Sequence, residues 1–68
     1  MTRKDFVLLS DTLRRAHAHA LEAQGEAAAL GVEMAARHVA SSLRVVVGPA
    51  FDSARFMADV MQAPDSRT

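Results

Sequence analysis

Apolar residues recur along the first third of the chain at spacings of three and four: Phe6, Leu9, Leu13, Ala16 and Ala20. At about 100° per residue these positions share one helix face, so the pattern predicts an amphipathic helix from about residue 3 to residue 24. Thr2 stands ahead of it as an N-cap, and Asp5 lies where a capping-box acid reaches back to the cap backbone. Met1 and Phe6 occupy the hydrophobic-staple positions. Gly25 then interrupts the pattern.

From Glu26 to about Val46 the sequence is rich in alanine and predicts a second helix, with Gly31 as its only interior breaker. Its charges are confined to one narrow stripe of Glu26, Glu33, Arg37 and Arg44. One side of the remaining circumference carries Val32, Ala35, Val39, Leu43 and Val46, and a side roughly opposite carries Ala27, Met34, His38 and Val45. Two apolar faces predict two partners, because a helix that is apolar over most of its surface must be covered over most of its surface. Ala27, Gly31 and Ala35 recur every four residues, a spacing at which small side chains let a neighbouring helix approach and offset the cost of the glycine.

Val45, Val46 and Val47 also fit a strand, since consecutive β-branched residues favour extended backbone. Gly48 and Pro49 end the element under either reading. The next stretch, FDSARF, starts a third helix over about 53–62: with Asp52 as N-cap, Phe51 and Phe56 take the staple positions. Phe56, Met57, Val60 and Met61 then form its apolar face, and Arg55 with Asp59 makes an exposed pair four residues apart. Residues 64–68 read as a flexible tail. The expected architecture is one all-α, three-helix domain over residues 1–63, self-associating, with Phe6, Leu9, Leu13, Val39, Leu43, Phe51, Phe56 and Val60 as its core.

Size makes self-association part of that expectation. A core built from 68 residues rarely supplies more than about 3 to 5 kcal/mol, and small domains commonly add disulfides, a metal or a partner chain. The chain has no cysteine, so disulfides and thiolate metal sites are excluded. Eight basic residues balance eight acidic ones, which removes the strong positive field expected of a nucleic-acid binder. Arg3, Lys4, Arg14 and Arg15 gather in one outer sector of the first helix and form the candidate basic face, but Asp11 and Glu22 dilute it and no aromatic residue there offers a stacking platform. No run of apolar residues reaches a membrane span, and none at the N-terminus reads as a secretory signal, so the expected compartment is the cytoplasm.

The titratable residues carry little chemistry. His17 and His19 lie about 200° apart around a helix and cannot grip one ion as a pair four residues apart does. His38 sits with Met34 and Val45 on the second apolar side, where burial at an interface would tie association to imidazole protonation. Ser10, Ser41, Ser42 and Ser53 are available hydroxyls, yet none lies in a nucleophile-elbow sequence. The reading is a non-enzyme with no catalytic, cofactor-binding or metal-binding residues and no cofactor.

MTRKDFVLLSDTLR at residues 1–14, taken with FDSARF at residues 51–56, resembles a group of small phage and prophage proteins. Those begin Met-Thr-Arg-Lys-Asp-Tyr/Phe and close on Phe-Asp-x-x-Arg-Phe. Thr2, Arg3, Lys4, Asp5, Phe6, Leu9, Leu13 and Arg14 match the first pattern, and Phe51, Asp52, Arg55 and Phe56 the second. Residues 16–49 follow neither. The resemblance implies a shared scaffold, no assigned catalytic residues and an infected bacterial cytoplasm. On that basis the expected function is binding and inhibition of a bacterial host protein or complex, CRISPR-Cas defence among them. The candidate interface is Ala27, Leu30, Gly31, Met34, His38 and Val45. The alternative is a helical homodimer of structural or regulatory role that makes weak nucleic-acid contact through the basic face.

Overall fold

The computed structural model describes residues 2–62 as an all-α domain: α1 spans Arg3–Gln24, α2 Glu26–Val47 and α3 Ser53–Val60. The tail expected at residues 64–68 and the staple residue Met1 lie outside the described residues. Both halves of the first capping box are formed. Thr2 Oγ1 accepts from the Asp5 backbone N–H at 3.1 Å, and an Asp5 carboxylate oxygen accepts from the Thr2 N–H at 3.4 Å.

One residue, Gly25 at φ 99°, joins two helices of 22 residues each. That left-handed backbone reverses the chain, a conformation glycine adopts without steric cost. The two helices therefore run back along one another: His17 and Leu21 lie beside Ala29 and Glu33, while Phe6 at the far end lies beside Val47. Val45 to Val47 are helical, and the Gly48 N–H continues the ladder to the Arg44 carbonyl at 2.9 Å. Docking of Leu43 and Val47 onto the core outweighs the small intrinsic preference of valine for extended backbone.

α3 begins as the FDSARF stretch predicts. Asp52 accepts from the Arg55 N–H at 3.0 Å, and the Phe51 and Phe56 rings meet at 5.5 Å between centroids. Phe6 completes a three-ring cluster, at 5.7 Å from Phe51 and 5.6 Å from Phe56, the latter edge to face. Such geometry sets the positive edge of one ring against the negative face of another. It also ties the start of α1 to the start of α3. The helix stops at Val60, shorter than expected, with Met61 as its C-cap.

All eight residues expected in the core belong to it: Phe51, Phe56 and Val60 are buried, and Phe6, Leu9, Leu13, Val39 and Leu43 pack against them partly buried. The rest of the helix faces needs correction. Ala16 is exposed, and Ser10 is buried in α1. In α2, Ala35 and Val46 point to solvent, whereas Ala36 and Ala40 enter the centre with 0% and 3% of their surface exposed. α1 and α3 both dock on one side of α2, and where three backbones converge a methyl group fits better than a larger side chain. Alanine gives little hydrophobic signal, so the buried stripe sits about one residue away from where the bulkier residues place it.

The close approach expected of Ala27, Gly31 and Ala35 is likewise absent within the chain. All three are exposed, and a methyl group added at Gly31 meets nothing within 4 Å. Close packing falls instead to Ala29, Ala36 and Ala40. Gly31→Ala is therefore expected to stabilise the domain by about 0.5 to 1 kcal/mol, through helix propensity and a less flexible unfolded chain. Paired urea titrations check this, and a lower midpoint for the variant would mean that space at Gly31 is needed.

Candidate protein interface

α2 spends one side on the core and leaves the other bare. Ala27, Leu30, Gly31, Met34, His38 and Val45 are all exposed, with Leu30 at 54%, Met34 at 62% and Val45 at 85%. By helix geometry Ala27, Met34, His38 and Val45 lie opposite Ala29, Ala36, Ala40 and Val47. Leu21 of α1, itself exposed, adjoins Leu30 at the turn end of this surface. The charged stripe borders it, and there Arg37 donates to the Glu33 carboxylate at 2.7 Å. An apolar strip with a polar rim is the form a protein-binding face takes on a soluble domain.

The basic sector is divided. Arg14 and Arg15 both turn onto Asp11, Arg14 at 2.6 Å to one carboxylate oxygen and Arg15 to the other. Hydrogen bonds from Arg14 and then from Arg15 hold the Asp11 carboxyl below its usual value of 3.8. Because the folded value is the lower one, this contribution to stability is complete above the unfolded value and is lost as pH falls through the folded value. Acid titration of Asp11→Asn beside the parent should then show their stabilities converging below about pH 4. A gap that stays constant through that range would contradict the linkage.

Arg3 and Lys4 line one groove with Asp11 but take no part in its ion pairs. They flank Val7 and Leu8, which are 52% and 61% exposed on the outer surface of α1. The sequence reading passed over Val7 and Leu8. The signal was present: two apolar residues left off the face defined by Phe6, Leu9 and Leu13 have no place in a core that lies on that face.

The remaining polar side chains are engaged locally. The buried Ser10 hydroxyl donates to the Val7 carbonyl at 3.2 Å, and Thr12 donates to the Leu8 carbonyl at 2.8 Å, the back-bonding usual for hydroxyls inside helices. His17 is half-buried at the edge of the α1–α2 packing, and His19 and His38 face solvent. Among the described residues no group of three or more His, Asp or Glu side chains converges as a metal site would require. A groove of about 310 Å³ opens where α1, α2 and α3 meet, lined by Thr2, Arg3, Phe6, Val47, Phe51 and Arg55 among others.

What the fold and these surfaces define is a small three-helix domain with its outer helix face unpartnered. Comparison with protein-family models, curated proteins and solved structures returns no match. Among the described residues no helix is long and apolar enough to cross a membrane.

Proposed function

We propose that this chain is a small phage-encoded, non-enzymatic protein that binds a bacterial host protein or complex in the host cytoplasm and blocks it, with a defence assembly such as CRISPR-Cas as a target of the expected kind. The observation that carries the reading is the exposure of Leu30, Met34 and Val45 on a helix whose opposite side already forms the core. Burying one such side chain is worth about 1.5 to 3 kcal/mol, so a partner gains binding energy from residues the fold itself leaves unused. The phage setting comes from the resemblance of the Thr2–Arg14 and Phe51–Phe56 motifs, and both are helix starts rather than reactive groups. Inhibition by occupying a surface needs no catalytic residue, only shape and apolar area.

The nucleic-acid alternative draws less support, because Arg14 and Arg15 spend their charge on Asp11 and phosphate contact would have to displace that carboxylate. Affinity capture from host lysate by the immobilised domain, with mass spectrometry of what it retains, tests the favoured reading. The expected result is one host protein or complex retained by the parent chain and lost with Met34→Glu. Retention of none, or retention that survives Met34→Glu and Val45→Glu alike, would remove it; salt-sensitive DNA binding lost on reversing Arg14 and Arg15 would establish the alternative.

A further inference from the structure

We infer that the outer face of α1 docks an acidic protein segment, with an apolar side chain of the partner over Val7 and Leu8 and its carboxylates at Arg3 and Lys4. Val7 and Leu8 are 52% and 61% exposed and lie on the side of α1 away from Leu9, Leu13 and Ala20. They line one groove with Arg3, Lys4 and Asp11, to which α2 and α3 contribute nothing. This surface is separate from the outer face of α2, and the inference does not rest on a target bound there.

Charge selects the partner. Bases bracket the apolar pair along the helix: Arg3 and Lys4 stand one turn before it, Arg14 and Arg15 two turns after it. Arg3 and Lys4 form no ion pair among the described residues. Asp11, the one carboxylate lining the groove, is shared by Arg14 and Arg15, so four bases stand against one acid on a chain whose net charge is zero. Asp52 and Asp59, which border the neighbouring groove with Arg3, are engaged with the Arg55 N–H and, at 3.7 Å, with the Arg55 guanidinium; Asp5 turns back to the Thr2 N–H. Among anionic partners a protein segment fits best. A phosphate backbone laid across the patch would press ionised oxygens onto Val7 and Leu8 and strip their hydration, and no aromatic side chain lines the groove to stack on a base. An anionic bilayer takes up a broad apolar helix face, whereas here two side chains share the surface with the Asp11 carboxylate. A peptide sets carboxylates at the bases and an apolar group between them, which is the anatomy of an interface with an apolar centre and a complementary charged rim.

Selection of random short peptides from a displayed library against the immobilised domain tests this. The peptides selected are expected to carry Asp or Glu on both sides of a large apolar residue. One of them, made synthetically, should bind the parent chain more weakly as salt rises. Its affinity should fall about tenfold on Leu8→Gln, which withdraws apolar area, and about tenfold in the double variant Arg3→Glu, Lys4→Glu, which reverses the rim. All three positions are exposed, and acids in the first turn of α1 favour the helix, so these variants keep the fold, as circular dichroism verifies. Met34→Glu on α2 should leave the affinity unchanged, which keeps failure of host capture and failure of this inference apart. A selection that yields no peptide, peptides without acids, or binding that survives either set of α1 substitutions overturns the inference. Binding of the parent to phosphatidylserine–phosphatidylcholine vesicles or to a DNA duplex, lost in the same variants and with no peptide selected, overturns it and assigns the patch to lipid or to nucleic acid.

Discussion

Phe56→Ala should leave much of the protein unfolded at room temperature in dilute solution. Phe56 has no exposed surface, and its ring touches both other phenylalanines of the chain, one at the start of α1 and one just ahead of α3. Truncating a buried aromatic costs about 3 to 5 kcal/mol, which matches the whole margin of roughly 3 to 5 kcal/mol that a core of this size provides. Loss of the ring also removes the staple that sets the entry of α3. Val60, buried in the next turn of the same helix, then loses its neighbour. Thermal melts followed by far-ultraviolet circular dichroism read the effect, and Val46→Ala, at 81% exposure and outside the candidate interface, serves as the surface control. An unchanged melting temperature for Phe56→Ala would place the centre of the core elsewhere.

The second large effect is expected at a residue with hardly any side chain. Ala36 is fully buried where α2 meets its neighbours. Ala36→Leu adds three carbons to a space with no room for them, and overpacking of this kind costs about 1 to 3 kcal/mol as backbones shift or rotamers strain. Its neighbour Ala35 is exposed, so Ala35→Leu is expected to change stability by no more than about 0.5 kcal/mol. The pair of substitutions measures the rotation of α2 about its own axis. Equal losses at both positions, or a larger loss at Ala35, would mean that the buried stripe runs where the bulky residues alone place it. Urea titration at low protein concentration keeps self-association from entering the comparison.

The starts of α1 and α3 were legible because each is specified within about six residues. Thr2 with Asp5, and Phe51, Asp52 and Phe56, name their own positions through hydrogen bonds and contacts that reach only one turn. The breaks at Gly25 and Gly48 were legible for the same reason, as both residues adopt a positive φ. The large core residues declared themselves through spacing. Ala36 and Ala40 did not: an alanine suits the centre of a crowded interface and the open surface equally well, and only the position of the other two helices separates it from Ala35. The six interface candidates were legible as a face, while Val7 and Leu8 became visible as a second exposed patch once the α1 packing was known.

By itself the sequence determined that the chain is helical, where each helix begins, that Gly25 and Gly48 break it, which phenylalanines and leucines gather inside, and that α2 carries more apolar surface than its own chain can bury. Those properties follow from local hydrogen bonding and from residue spacing, which act over a single turn. Tertiary structure alone decided how α2 is rotated and which alanines permit the backbones to converge. Those outcomes depend on packing three helices at once, where the room left by distant parts of the chain, rather than the preference of any one residue, fixes what lies inside.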